Sequence, residues 1–222
     1  MRFFVAKMNI HQALSDIAEI RAQLDRTETY RGFRSTAVGV SVLVLAVGAW
    51  AESRWVDDWP SQIDRYLTVW LSVAIVSAVI AAVEMLIRSQ ISGNRLVAKM
   101  HWSLSRHIAP SFLVGFVLTL MIGMHGYEVN AIEGVQGSRA GLTWALPGMW
   151  SMVYSLGLFN CRRDLPAQAV GVAVYFLFAG VILLGYNWMT RDLGGWQMLA
   201  SFGVGQAFLG GVLFWNLERR VG

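Results

Sequence analysis

Six apolar segments, separated by loops that are basic on alternate sides, constrain this chain more than any other feature. A hydrocarbon core about 30 Å thick needs ~20 helical residues to cross it. A helix of that length satisfies all of its own backbone groups in lipid. The pattern therefore predicts an all-α, polytopic membrane helix bundle with six transmembrane helices in residues 34–218, after a cytoplasmic arm in residues 1–33. The predicted spans lie near 35–51, 67–87, 110–127, 141–159, 168–188 and 196–217.

The composition excludes an ordinary soluble domain. Apolar residues make up 55% of the 222 residues and charged residues only 14%, against roughly a quarter charged in an average soluble domain. Too few charges remain to coat a surface that faces water. We expect the first span to stay uncleaved, because more than thirty residues precede it and a cleaved signal peptide has a short basic start.

The basic residues indicate the orientation, because Lys and Arg stay on the cytoplasmic side during insertion. Of the 18 Lys and Arg, 14 lie in the N-terminal arm, the second and fourth loops and the C-terminal tail, and four lie in the opposite loops. This predicts a multi-pass protein of the bacterial inner membrane with both termini in the cytoplasm. The four residues on the other side are Arg54, Arg65, Arg139 and Arg191.

The net charge and the positions of the tryptophans support the same membrane topology. The net charge of +4 follows the topology, so we expect the basic face to meet anionic lipid headgroups and predict no nucleic acid partner. Indole rings prefer the membrane interface; a ligand-binding aromatic cage is the alternative for the tryptophans at the predicted outer boundary. Those tryptophans are Trp50, Trp55, Trp59, Trp144, Trp188 and Trp196.

Residues 9–29 form the one substantial segment that is typical of a soluble amphipathic helix. Its apolar residues recur at steps of three and four, an a/d stripe of two heptads. Two heptads are too few for a free coiled coil, so the stripe must be covered by the protein's own bundle or lipid, or by a partner or a second copy. The stripe consists of Ile10, Ala13, Ile17, Ile20 and Leu24.

Two further patterns concern the helices. The loop 88–109 is long and basic enough for an interfacial helix that ends at Pro110, where span three begins. In span six, two rows of mostly small residues predict close approach of a neighbouring helix. The first row is Gly203, Ala207 and Gly211, and the second is Ser201, Gly205 and Leu209.

Three residues are candidates for a polar path through the bundle. Glu84 is the one acid inside a predicted span, where it either faces the interior or pairs with Arg88 near the inner interface. Pro147 predicts a kink in span four that frees the carbonyl of Thr143. Gln206 can donate a hydrogen bond to a neighbouring helix. The path and plain helix packing are both open interpretations.

The sequence predicts neither an enzyme nor a cofactor or metal site. The four histidines are not spaced to share a metal, and no nucleotide-binding, zinc-protease or serine-hydrolase motif is present. The single cysteine, Cys161, cannot form an intrachain disulfide.

Five blocks of the sequence are distinctive. They are ALSDIAEIRAQLDRTETYRGFRS at 13–35, the turn at Glu84, LPGMW at 146–150, SLGLF at 155–159 and FGVGQ at 202–206. Together they resemble a family of small bacterial six-span integral membrane proteins of about 220 residues whose activity is uncharacterised. The resemblance implies the location and fold predicted above, and a winged-helix transcriptional regulator encoded beside the gene as a partner; it supplies no catalytic residues.

The sequence therefore leads us to expect a non-enzymatic membrane anchor or regulator that binds a cytoplasmic partner. The striped segment 9–29 and the basic loop 88–109 motivate that expectation. A small transporter or channel-like protein and a structural subunit of a larger membrane complex are the alternatives.

Overall fold

The computed structural model describes Asp16 and residues 35–59, 61–92, 95–133, 141–162 and 165–218. Their regular secondary structure is helical throughout, as predicted. The helices are α1 (Ser35–Trp55), α2 (Ile63–Ser92), α3 (Arg95–Glu133), α4 (Leu146–Asn160), α5 (Ala169–Thr190), α6 (Gly195–Met198) and α7 (Val204–Leu213). We call residues 195–218 the C-terminal rod. In this rod a π-helical segment, Leu199–Gly203, joins α6 to α7, and a second π-helical segment, Phe214–Glu218, follows α7.

In the described part of the chain, five helical segments are long and apolar enough to cross a membrane, so the chain is a multi-pass membrane protein. They correspond to the first, second, third, fifth and sixth predicted spans, with ends that differ by a few residues. The segments are Thr36–Trp55, Ile63–Ile87, Arg106–His125, Ala169–Thr190 and Gly195–Asn216.

The predicted fourth span is a shorter helix. A 3₁₀ turn, Thr143–Ala145, precedes the 15 residues of α4, which extend about 22 Å. The predicted kink at Pro147 is wrong, because Pro147 lies in the first turn of α4, where its missing N–H is harmless. The carbonyl of Thr143 is not freed; it accepts the backbone N–H of Leu146.

Pro110 does not separate two helices, so the predicted break there is also wrong. It lies inside α3, which runs continuously for 39 residues, about 58 Å. A proline inside a helix costs one backbone hydrogen bond, and membrane helices tolerate this loss through local adjustment. The predicted interfacial helix and the third span are therefore parts of one helix.

The helices form a closed ring. Each helix packs against the next one in the chain, and the C-terminal rod packs against both α5 and α1. Two buried apolar clusters lie along the bundle: one includes Val38 and Leu213, and the other includes Trp70 and Trp144. The first and last membrane helices of the ring are thus neighbours.

The closest helix–helix packing in the ring is between α4 and α5, which are antiparallel. A Cβ atom on Gly148 would lie 2.8 Å from the carbonyl oxygen of Gly180, so both positions need glycine. Ser151 Oγ donates to the carbonyl oxygen of Phe176 at 2.8 Å, and Ser155 Oγ donates to that of Ala173 at 2.7 Å. Such small and hydroxyl-bearing residues allow helix backbones to approach closely in lipid.

The C-terminal rod contains the two rows of mostly small residues for which a close helix contact is predicted, and the second row, Ser201, Gly205 and Leu209, makes that contact. Ser201, Gly205 and Leu209 are buried, and a Cβ on Gly205 would collide with the ring of Phe176 on α5. In the other row Ala207 is exposed, and a Cβ on Gly211 would meet open space.

Candidate functional site

One end of the bundle is rich in tryptophan, and we call it the Trp-rich end. It is formed where α1 and α5 end and where α2, α4 and the C-terminal rod begin. Exposed indole rings at an end of this kind are typical of the membrane–water interface. Trp50, Trp55, Trp188 and Trp196 are exposed there, whereas Trp59, Trp144 and Trp70 belong to the core.

Glu52 is buried at the Trp-rich end, with only 5% of its surface exposed. Its Oε2 atom accepts a hydrogen bond from the indole N–H of Trp70 at 3.1 Å, and its carboxylate also accepts the backbone N–H of Gly195. Gly195 begins the C-terminal rod, so the carboxylate lies at a helix N-terminus, which favours negative charge. Glu52 therefore links α1, α2 and the C-terminal rod.

The local sequence permits this contact because residue 195 is a glycine. A Cβ atom there would lie 2.7 Å from Glu52 Oε2 and 3.0 Å from the Cα of Ala49. The C-terminal rod can thus approach α1 closely enough for its first N–H to reach the carboxylate.

The surroundings of Glu52 are polar without offering a cationic partner. In the part of the chain that the structure describes, no Lys or Arg forms an ion pair with its carboxylate. Tyr66 is fully buried, and its ring is tilted against that of Trp70 with a centroid separation of 6.5 Å; its hydroxyl has no hydrogen-bond partner among the described residues. Burying a carboxylate without a counter-ion raises the free energy of the folded protein, and hydrogen bonds to the carboxylate offset part of that cost.

Sequence reasoning missed Glu52 because it placed the end of span one at residue 51. A signal was present. Leu45, Gly48 and Glu52 follow one another at steps of three and four, and all three are buried on one side of α1.

A second polar group at the same end consists of two fully buried amides, Asn187 and Gln197. Asn187 Nδ2 donates to the carbonyl oxygen of Trp144 at 2.8 Å and to Gln197 Oε1 at 3.1 Å. Gln197 Nε2 donates to the carbonyl oxygen of Asp192 at 3.0 Å. These bonds fix the end of α5 and the loop that follows it against the start of α4 and the C-terminal rod.

The three residues of the predicted polar path have separate surroundings. Glu84 Oε1 accepts a hydrogen bond from Thr36 Oγ1 at 2.9 Å, at the end of α1 opposite to Glu52. Pro147 is buried at the start of α4. Gln206 Nε2 donates to the hydroxyl of Tyr154 at 2.9 Å. Glu84 and Gln206 thus have different hydrogen-bond partners, and the role of the three residues in a path stays a prediction.

Aromatic rings fill the bundle around Tyr154. Its ring centroid lies 4.7 Å from that of Phe176 on α5, 5.7 Å from that of Phe202 on the C-terminal rod and 6.4 Å from that of Phe112 on α3. These edge-to-face contacts join four helices at one level of the bundle.

The end opposite to the Trp-rich end carries a helical extension. The apolar part of α2 ends at Ile87, but the helix continues to Ser92; α3 begins at Arg95, 11 residues before its apolar part starts at Arg106. The sequence of this extension, residues 88–105, is basic, with Arg88, Arg95 and Lys99. We call it the basic hairpin. The stripe Ile10, Ala13, Ile17, Ile20 and Leu24 lies outside the described residues.

Together these features define a class, the multi-pass α-helical membrane protein. Comparison with protein-family models, with curated proteins and with solved structures finds no match to this chain. Among the described residues, no group of three or more His, Cys, Asp or Glu side chains could hold a metal ion.

Proposed function

We propose that this chain is a non-enzymatic, six-span protein of the bacterial inner membrane, with both termini in the cytoplasm, that holds a soluble cytoplasmic partner. The single observation that carries the proposal is the basic hairpin. The continuous helix α3 begins at Arg95, about 16 Å before the start of its apolar part, so a helical segment with a basic sequence extends beyond the part that is suited to the bilayer core.

The contact between the first and last membrane helices supports an even number of spans. Val38, near the start of α1, and Leu213, near the end of α7, belong to the same buried cluster. A chain that begins and ends on one side of a membrane crosses it an even number of times. Among the described residues five segments qualify by length and hydropathy, and the sixth crossing in this proposal is α4 with its 3₁₀ turn.

The packing favours an anchor over a channel. Tyr154, Phe176 and Phe202 fill the level that lies between the polar groups of the Trp-rich end and the Thr36–Glu84 pair. Close-packed aromatic rings at this level occupy the space that a hydrated path would need. A rigid bundle of this kind suits a protein whose working surface is outside the membrane.

A small transporter is the second candidate function, and buried Glu52 favours it. Intramembrane carboxylates often bind protons or substrates in transport proteins. Flux measurements on reconstituted vesicles test this alternative: if neither Glu52→Gln nor Glu84→Gln alters any flux of the wild-type protein, the transporter is excluded. A structural subunit of a larger complex predicts instead a stable assembly in mild detergent.

Co-purification tests the anchor. The full chain, tagged at its C-terminus, is purified from its native membranes, and the partner tested is the winged-helix regulator that the family resemblance implies is encoded beside it. We expect the doubly substituted Arg95→Gln/Lys99→Gln protein, and a variant that lacks residues 1–29, to retain less regulator. Arg54→Gln/Arg65→Gln removes the same charge at the Trp-rich end and serves as the matched control. Equal recovery of the regulator with all variants would contradict the anchor.

The topology has its own test. Reporters that are active on only one side of the membrane are fused after Gly222 and inserted after Asp57. We expect cytoplasmic activity for the first fusion and periplasmic activity for the second. A periplasmic signal after Gly222 would contradict the six-span arrangement even if the regulator binds.

A further inference from the structure

Arg191 is held in an unusual backbone conformation at the end of α5. Its φ of 52° and ψ of 36° are left-handed, and it is the one non-glycine residue with positive φ among the described residues. Its backbone N–H donates to the carbonyl oxygen of Asn187 at 2.8 Å. A side chain disfavours this conformation, so contacts of the arginine must offset its cost.

The guanidinium of Arg191 lies on two indole rings. Its Cζ atom is 4.4 Å from the ring centroid of Trp144 and 4.8 Å from that of Trp188. The two rings contact each other edge to face, with centroids 5.5 Å apart. Cation–π attraction from two rings fixes the guanidinium in place at the Trp-rich end.

This fixed guanidinium has no anionic partner in the described part of the chain. No hydrogen bond or ion pair from its nitrogen atoms is found there. The acids nearby do not supply one: Glu52 is bound by Trp70 and Gly195, and Asp192 is exposed. A guanidinium offers five N–H donors and no acceptor.

A second observation points to the same kind of ligand. The indole N–H of Trp144 belongs to a ring that Arg191 covers, and Trp144 is only 4% exposed. This N–H has no hydrogen-bond partner among the described residues. An indole N–H can only donate, so any group that binds both Arg191 and this N–H must be a hydrogen-bond acceptor. A small cation or an ammonium group does not meet that requirement, whereas a phosphate group does.

We propose that Arg191, Trp144 and Trp188 form a binding site for a phosphate group at the membrane interface. Guanidinium groups bind phosphate oxygens in a bidentate manner, and the exposed ring of Trp188 provides an apolar surface beside it. A phospholipid headgroup and free inorganic phosphate share this chemistry. The proposal does not depend on a cytoplasmic partner.

Native mass spectrometry of the purified full chain tests the site. The probes are a short-chain phosphatidylglycerol, inorganic phosphate, and a diacylglycerol of the same chain length that lacks phosphate. Arg191→Gln should weaken phosphatidylglycerol binding on the order of tenfold, because charge-assisted hydrogen bonds are lost. Arg65→Gln is the matched control, since Arg65 is an exposed arginine at the same end that reaches the carbonyl oxygen of Trp55.

Trp144→Phe provides a variant that keeps an aromatic ring and removes only the N–H. It should weaken phosphatidylglycerol binding less than Arg191→Gln does, with an unchanged helical circular dichroism spectrum. Arg191-dependent binding of phosphatidylglycerol alone identifies a lipid site, and equal dependence for inorganic phosphate identifies a general phosphate site. Equal binding of the diacylglycerol, or equal losses in Arg191→Gln and Arg65→Gln, would overturn the proposal.

Discussion

The carboxylate of Glu52 and the indole N–H of Trp70 are joined by a buried hydrogen bond of 3.1 Å between α1 and α2. Of the acids in the described membrane helices, Glu52 is the most deeply buried. Because the same carboxylate accepts the backbone N–H of Gly195, the contact is shared by three helices. Its removal should therefore affect the assembly of the bundle more than the stability of any one helix.

Trp70→Phe should lower the free energy of unfolding by about 1.5–3 kcal/mol, because it removes a donor from a buried carboxylate while keeping a ring. Unfolding by increasing fractions of a denaturing detergent measures the loss. Trp50→Phe is the control, since Trp50 is 63% exposed at the same end, and it should change the stability by less than about 0.5 kcal/mol. Similar effects of the two substitutions would show that the hydrogen bond contributes little.

Gly195→Ala should destabilise the protein by about 1–3 kcal/mol. The new Cβ would lie 2.7 Å from Glu52 Oε2 and 3.0 Å from the Cα of Ala49, so α1 and the C-terminal rod would have to separate. Gly185→Ala is the matched control, because a Cβ at Gly185 meets nothing within 4 Å. It should leave the stability unchanged or raise it slightly. Equal stability of both variants would contradict the close contact at Gly195.

Ser151→Ala should cost about 0.6 kcal/mol, the average for hydrogen bonds between membrane helices. Its hydroxyl donates to the carbonyl oxygen of Phe176 on the neighbouring helix. Ser41→Ala removes a hydroxyl that donates within its own helix, to the carbonyl oxygen of Ala37, and should have less effect. The same detergent titration compares them; a larger loss for Ser41→Ala would refute the interhelical role of Ser151.

Gln206→Leu and Tyr154→Phe should be coupled in a double-mutant cycle. Each removes one partner of the 2.9 Å hydrogen bond between the C-terminal rod and α4, so the double variant should lose about 1 kcal/mol less than the sum of the single losses. A control cycle combines the replacement of Gln206 with that of Phe208, which is exposed on the same rod. There the loss of unfolding free energy in the double variant should equal the sum of the two single losses. Additivity in the first pair would mean that the bond is not formed.

Helix positions were predictable from sequence because lipid imposes a simple rule on length and hydropathy. Five predicted spans therefore correspond to observed segments. The bounds of α3 were not predictable in this way, because Pro110 interrupts neither the helix nor its apolar pattern. Loop charges contain no information about whether a proline ends a helix or is accommodated within it.

The polar sites were harder to predict, since burial depends on partners that are distant in sequence. Asn187 and Gln197 are polar residues near the ends of predicted spans, where nothing in the sequence marks them as buried, yet both are fully buried and donate to the carbonyl oxygens of Trp144 and Asp192, respectively. Glu84 attracted attention because it lies within a span, but its partner Thr36 is 48 residues away. Which polar residues face inward depends on the helix order, and a single sequence does not contain that order.

The closed ring of helices has a consequence for biosynthesis. Glu52 is made early, whereas its backbone donor at Gly195 is made 143 residues later. Until the last hydrophobic segment leaves the ribosome, the carboxylate can reach Trp70 but not Gly195. A nascent chain that stops short of residue 195 would thus leave this acid incompletely bonded, so truncated products should be recognisable to membrane proteases as unfinished.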